Sequence, residues 1–319
     1  MEKPIIFAFD LDGTMLNSKG KISPGNLEYL KKMQKDGVIL IPTTGRDINE
    51  FPKELLDMGI DHAITLNGSR IINMHTKEVI WSQTIDSPEI LQKAYNIAKD
   101  NSAKYSIYFR GKICDSSPVQ TFFSKVAYGI RSHPVLKSIG KKKPTQGVEK
   151  IMFVTISEKK RIRLLKALED GIGGEEEVCV TQSSKNTVDI TPSASGKGNA
   201  LEWMADELGV SPSHVIAVGD EGNDVKMLRF AGRSCAVENA TGPAKQSAKK
   251  IIGNHNEDFL DRISHLIDFV RKIDNAGLRQ PNLRDIWKMP VKQSMGKSMN
   301  NEIFNTPRKA KKGIPDLHR

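Results

Sequence analysis

Ile5-Ile6-Phe7-Ala8-Phe9-Asp10-Leu11-Asp12-Gly13-Thr14 decides the reading: an apolar run that ends at once in two carboxylates two positions apart. A short, unbroken apolar run closed by turn-forming residues is the pattern of a strand buried on both faces. It is too short for a membrane-spanning helix, which needs roughly 18 apolar residues, and for the apolar region of a signal peptide. Where the strand gives way to a loop, both carboxylates can face one crevice. One carboxylate can attack a phosphoryl group, and the other can protonate the leaving oxygen and later activate water. Asp-x-Asp-Gly is also an ordinary turn; the apolar strand directly before it sets this one apart.

Outward from that strand the chain alternates. Asn26 to Lys35 has the spacing of a helix with Leu27, Leu30 and Met33 inward, Val38 to Pro42 is a second apolar run, Asp47 to Met58 puts Ile48, Phe51 and Leu55 on one helical face, and Ala63 to Leu66 is a third short strand. Strand, helix, strand begins a parallel sheet. The rhythm then changes: Ile71 to Met74 and Val79 to Ile85 form a hairpin leading into a second unit. That unit has a helix over Pro88 to Lys99, strands within Tyr105 to Cys114 and Ile151 to Ser157, a helix over Glu158 to Glu169 and paired strands within Val178 to Ile190. Helices covering an antiparallel sheet are expected there. After Asp189 the first rhythm resumes, with a helix over Lys197 to Leu208, a strand Val215 to Val218 and a helix Asn223 to Phe230. The second unit therefore interrupts the first.

Each remaining polar cluster falls at a strand's carboxyl end, where open α/β sheets place their ligand crevice. Thr43-Thr44-Gly45-Arg46 precedes a helix start, a setting that binds anions and is equally served by simple capping. Lys197, in Ser195-Gly196-Lys197-Gly198-Asn199, can neutralise phosphate oxygens and an attacking carboxylate. Neither common phosphate loop fits: Thr191 and Gly198 break the P-loop pattern, and Leu201 breaks the dinucleotide fingerprint. Gly219-Asp220-Glu221-Gly222-Asn223-Asp224 is an oxygen-rich cluster suited to a hard cation such as Mg²⁺, although alone it would pass for an acidic turn before a helix.

Phe9-Asp10-Leu11-Asp12-Gly13-Thr14, Thr44-Gly45-Arg46, Asn67-Gly68, Lys197 and Gly219-Asp220-x-x-Asn223-Asp224, in that order, resemble the haloacid dehalogenase-like phosphatases, in particular their Cof-like sugar phosphatase branch. The resemblance covers roughly residues 4 to 270. It implies an α/β fold with a Rossmann-like parallel-sheet core, residues 1–83 and 189–275, and an inserted α/β cap, residues 84–188. It further implies that Asp10 is nucleophile and Mg²⁺ ligand, that Asp12 is the acid/base and lends its backbone carbonyl to the metal, and that Thr44 holds phosphoryl oxygens. Lys197 would stabilise the charge of transfer, Asp220 would ligate Mg²⁺, and Asp224 with Asn223 would support the metal from behind or through water. Gly45, Asn67, Gly68 and Asn223 join Thr44 and Lys197 as expected substrate contacts. The chain departs from the family pattern at Glu238, before Asn239-Ala240, and in Asn256 to Phe259, where a glycine is usual.

With 319 residues and a formal charge of +10, the chain has length for about two domains and leaves anionic partners open. Residues 276–319 hold ten Lys/Arg against three acids and four prolines, which reads as a flexible basic tail. Cys114, Cys179 and Cys235 form no metal or disulfide pattern and are expected to be buried, in a reducing, cytoplasmic setting. The expected activity is Mg²⁺-dependent hydrolysis of a small phosphomonoester, a sugar phosphate or similar metabolite, through an aspartyl-phosphate. The alternatives are a phosphomutase or disaccharide-phosphate enzyme on the same core, or an interaction protein tethered to nucleic acid or another anionic surface by the tail. Arg110, Lys112 and Lys141-Lys142-Lys143 are expected to be solvated surface.

Overall fold

The computed structural model describes residues 3–110, 112–117, 136–138, 143–155, 157–182 and 187–275; the basic tail, Lys141 and Lys142 lie outside them. In chain order the strands are β1 (Ile5–Phe9), β2 (Val38–Pro42), β3 (His62–Thr65), β4 (Arg70–Asn73), β5 (Val79–Ser82), β6 (Lys104–Phe109) and β7 (Lys112–Asp115). They continue with β8 (Leu136–Ser138), β9 (Val148–Val154), β10 (Val178–Gln182), β11 (Thr187–Pro192), β12 (Val215–Gly219), β13 (Arg233–Ala236) and β14 (Lys250–Ile251).

The core is a five-stranded parallel sheet in the order β14-β13-β12-β1-β2. Every residue of β1 and β12 is buried, as expected of parallel strands covered on both faces. From β1 the chain crosses to β2 through the helix Pro24–Lys35, and from β12 it crosses the opposite way to β13 through Val225–Phe230. Right-handed crossovers in opposite directions put those helices on opposite faces of the sheet. The order therefore reverses between β1 and β12, and a crevice opens at their carboxyl ends.

β3, β4 and β5 form a small antiparallel sheet, tied to the core by a parallel bridge between Thr43 and Ile64. The inserted α/β cap has a six-stranded sheet, β10-β11-β9-β6-β7-β8, antiparallel except for the parallel pair β7 and β8. Alternation divides its two faces. Tyr105, Ile107, Ile151, Phe153, Val188 and Ile190 are buried in one apolar cluster with Leu91 and Ala94 of the helix Pro88–Asp100 and Leu164 and Leu168 of the helix Glu158–Ile172. Tyr108 and Met152 belong to the other face and pack with Leu66 of the core. In β9, Lys150 pairs with Tyr108 and Val148 with Phe109, leaving Glu149 without an opposite residue. That bulge re-aims the strand where it meets the core.

Several expectations are corrected. The helix expected over Asp47 to Met58 is a 3-10 turn, Ile48–Glu50, and a short helix, Lys53–Leu56. Pro52 disfavours the helical conformation at Phe51, which is extended at φ −71°, ψ 142°. The strand expected to begin at Ile151 begins at Val148, and the boundary at residue 188 falls inside β11. In the first helix Asn26 is buried and Leu27 only partly so, because Asn26 Oδ1 accepts from the backbone N–H groups of Phe259 and Leu260 at 2.9 and 3.0 Å. Of the cysteines, Cys235 is buried, Cys114 is intermediate and Cys179 is exposed. Arg110 and Lys112 are exposed, as expected.

Candidate active site

The parallel register brings the motif residues together. Phe9 lies opposite both Val218 and Pro42, so Asp10 emerges beside Gly219-Asp220 on one side and Thr43-Thr44 on the other. The Asp10 N–H donates to the Val218 carbonyl at 3.0 Å, and the Thr43 N–H to the Phe9 carbonyl at 2.8 Å. Gly13 turns the loop back at φ +76°, and a Cβ there would stand 2.3 Å from Asp220 Oδ2. Only glycine combines that conformation with that approach. Thr14 Oγ1 donates to Asp220 Oδ1 at 2.9 Å. Despite the departure at Glu238, Asn239 still clips the loop, its Nδ2 donating to the Gly13 carbonyl at 2.7 Å.

Lys197 is buried at the first position of the helix Lys197–Glu207, and its Nζ lies 2.5 Å from Asp10 Oδ1 and 2.7 Å from Asp224 Oδ1. One oxygen from each of Asp10, Asp220 and Asp224 falls within a span of 4.8 Å. Three buried carboxylates against one ammonium leave the cluster with excess negative charge. Burial raises the Asp10 carboxyl well above the usual range despite the pull of Lys197. Burial and the neighbouring Asp224 push Asp220 up to about 6. Burial opposes the charge on Lys197, but Asp10 and Asp224 outweigh it and hold the amine above its ordinary value. Hard oxygen donors with surplus negative charge suit a divalent cation such as Mg²⁺.

The expected roles divide on the geometry. Asp224 Oδ2 accepts from the backbone N–H groups of Asp220 and Glu221 at 2.9 and 3.0 Å while Oδ1 faces Lys197, so both its oxygens are engaged. The Asp12 side chain stands outside the acidic cluster and is more than half exposed, in a bidentate pair with Arg46 at 2.7 and 2.5 Å. Thr44 is fully buried, and its Oγ1 accepts from the Arg46 N–H at 3.2 Å. Gly68 serves packing: a Cβ there would meet the Gly196 backbone at 2.3 Å.

A cavity of about 450 Å³ lies over this cluster. Asp10, Asp12, Gly45, Arg46, Asn67, Lys197 and Asn223 line its core side. Asn67, in left-handed conformation at φ 57°, accepts from Asn223 Nδ2 at 3.0 Å. Thr44 and Gly68 are not on its wall. The cap supplies Tyr108, Lys150, Met152 and Thr187, none of which sequence reasoning had singled out. Lys150 Nζ is 2.7 Å from Asp189 Oδ2 and 3.5 Å from the Gly45 carbonyl, so it joins the cap to the Thr44-Gly45-Arg46 turn. Its only signal in the sequence is the charged pair Glu149-Lys150 running directly into the apolar residues from Ile151. Glu50 and Glu221 complete the wall.

The chain is similar to known proteins in sequence and in fold. The sequence model of the haloacid dehalogenase-like hydrolase family matches residues 7–260. The chain is 25% identical over 287 residues to the 5-amino-6-(5-phospho-D-ribitylamino)uracil phosphatase of Bacillus subtilis, covering 80% of this chain and 96% of that protein. It is 27% identical over 238 residues to the HMP-PP phosphatase of Cronobacter sakazakii, covering 73% and 84%. A crystal structure of a haloacid dehalogenase-like hydrolase from Bacteroides thetaiotaomicron superposes with a TM-score of 0.67 at 25% identity, covering 85% of this chain and all of that one. With the family model matched over residues 7–260 on a parallel core with an inserted cap, the chain belongs to the haloacid dehalogenase-like hydrolases.

Proposed function

We propose that the protein is a Mg²⁺-dependent phosphatase that hydrolyses a small phosphomonoester through an aspartyl-phosphate on Asp10. The observation that carries this reading is the buried contact of Lys197 Nζ with Asp10 Oδ1, in a cluster with Asp220, beneath a cavity of about 450 Å³. That volume suits a metabolite. Phosphatase activity in the two curated relatives supports the reaction class.

Asp10 attacks phosphorus, forming the new P–O bond as the bond to the leaving alcohol breaks, and Asp12, which must first leave its pair with Arg46 and take up a proton, gives that proton to the departing oxygen. Asp12 then takes a proton from water, whose oxygen attacks the aspartyl-phosphate, frees phosphate and restores Asp10. Lys197 neutralises charge on Asp10 and on the transferring group, in a buried setting where such contacts are strong. In the Thr44-Gly45-Arg46 turn the Thr44 and Arg46 N–H groups already donate to the Ile64 carbonyl at 2.9 Å and to Thr44 Oγ1 at 3.2 Å, so the Gly45 N–H is the donor left for a phosphoryl oxygen. Asp10 and Asp220, with the Asp12 backbone carbonyl, would hold Mg²⁺, and Asp224 would back Lys197 and the Asp220 turn. When bound, the metal supplies Lewis-acid neutralisation of the phosphate oxygens. The exposed free thiol of Cys179 supports a reducing, cytoplasmic setting for this reaction.

Phosphate release measured with Mg²⁺ and with EDTA tests the reading. Turnover that requires the metal and falls at least about 10³-fold in Asp10→Asn is expected; an Asp10→Asn enzyme that kept most of its activity would refute the nucleophile.

A further inference from the structure

Glu50 lines the active-site cavity, yet the phosphoryl chemistry makes no use of it. Its Oε1 is closed to solvent and has no hydrogen-bond partner among the described residues. A buried acceptor without a donor is costly, and most such atoms in native proteins are matched. The turn that carries it is clamped. Asp47 Oδ1 accepts from Asn49 N and Nδ2 at 3.1 and 2.6 Å, Asp47 Oδ2 accepts from Arg70 Nη1 at 2.9 Å, and Arg46 Nη1 donates to the Glu50 carbonyl at 2.9 Å. The side chain is therefore held at the cavity rather than released to water. The Asp47 backbone also donates to its carboxylate, which leaves the partnerless Oε1 as the oxygen able to accept.

Lys150 is on the wall of the same cavity, supplied by the cap. Its ammonium has three protons, and the acceptors at Asp189 and Gly45 engage two of them. The two groups feel each other: burial, and then Asp47, raise the Glu50 carboxyl to about 7 while Lys150 and Arg46 oppose the rise.

We propose that Glu50 is a specificity-determining residue: its carboxylate accepts a hydrogen bond from a hydroxyl on the organic part of the phosphate ester, and Lys150 donates to that same hydroxyl oxygen. This rests on the phosphatase reading of the site. The charges on the wall select the class of group. An ammonium would face Lys150 and Arg46, and a second anion would face Glu50 and Asp12. An apolar substituent would leave the Glu50 acceptor unmatched. A hydroxyl both donates and accepts, and so meets both partners. Sites built around a substrate hydroxyl reject analogues that lack it far more strongly than apolar pockets reject a missing methylene.

The test compares glycerol phosphate with propyl phosphate, which lacks the hydroxyls at nearly the same size, using p-nitrophenyl phosphate as a reporter of the chemical step. The full chain is used with Mg²⁺. The wild type is expected to favour glycerol phosphate by at least about tenfold in kcat/KM. Glu50→Met is expected to reduce that ratio to about threefold or less, chiefly through KM for glycerol phosphate, and Glu50→Gln, which keeps a carbonyl acceptor, to retain most of it. A Glu50→Met enzyme with the wild-type ratio overturns the proposal. So does an equal loss on all three substrates, the mark of a purely structural role. Wild-type turnover of p-nitrophenyl phosphate without preference between the other two overturns the role of Glu50 and leaves the phosphatase reading standing; no turnover of any substrate overturns both.

Discussion

The Arg70 guanidinium grips Glu149 through two nitrogens, Nε to Oε1 at 2.9 Å and Nη2 to Oε2, with both side chains buried. Arg70 lies on β4 and Glu149 is the unpaired residue of the β9 bulge, so the contact fastens the cap strand to the core beside Lys150. Nη1 of the same guanidinium holds Asp47, at the start of the turn that carries Glu50. Removing one member of a buried ionic group strands the others without compensation, typically at 3–5 kcal/mol. Arg70→Met, which strands two carboxylates, is expected to lose about that much in urea unfolding, and Arg70→Met with Glu149→Met to recover part of it. A loss below about 1 kcal/mol in the single variant would show that the cluster contributes little to stability.

Gly13→Ala tests the loop's close approach. The added Cβ would meet Asp220 Oδ2 at 2.3 Å, at a φ of +76° that alanine adopts with strain. The fold is expected to survive with a loss of about 1 kcal/mol. Phosphate release is expected to fall at least about 100-fold because Asp220 is displaced from Asp10. Near wild-type kcat in the alanine variant would show that Asp220 does not need its observed position.

How much of this was legible in the chain follows from what each residue type signals. Asp10, Lys197 and Asp220 stood out because apolar strands or glycines flank them, and parallel pairing leaves strand ends side by side. Glu50 did not, because a helical reading of Asp47 to Met58 placed it among solvent-facing polar positions, and only the extended conformation before Pro52 turns that segment otherwise. Glu149 and Lys150 were hidden because charged residues argue against a buried strand, and their partners, Arg70 and Asp189, lie 79 and 39 positions away. Asn26 is the same case: a polar side chain on an inward helical position, stabilised by backbone donors more than 230 residues along the chain.

Asp220 and Asp224 are four residues apart and separable by experiment. Asp224 gives one oxygen to Lys197 and the other to two backbone N–H groups, whereas Asp220 accepts from the Thr14 hydroxyl and faces Asp10. Asp224→Asn must aim an amide N–H at either the Lys197 ammonium or the backbone donors, and in both arrangements Lys197 loses a carboxylate charge. Its kcat is expected to drop about 10²- to 10³-fold, the loss typical of a removed electrostatic contact, while Mg²⁺ still raises its Tm. Asp220→Asn is expected to abolish that rise. The reverse pattern would make Asp224 the metal-holding residue.

Proton linkage gives the metal's effect a definite pH dependence. Asp220 titrates near 6, raised by burial and by Asp224, and Asp10 is raised in the same direction. Without metal the folded protein therefore binds more protons than the unfolded chain, from the ordinary carboxylate range near 4 up to about 6. Its stability falls as pH rises through that window, because three buried carboxylates must ionise against the single ammonium of Lys197. Mg²⁺ requires the ionised forms, so it restores what ionisation removes. Its stabilisation is expected to be small near pH 5, where protons compete, and to grow as pH rises past about 6, where Asp220 ionises, toward about 2.7 kcal/mol at a hundredfold excess over Kd. Thermal unfolding with Mg²⁺ and with EDTA across that range reads the difference directly. An equal Mg²⁺-induced shift in Tm at both ends would mean that the cation binds away from Asp10 and Asp220.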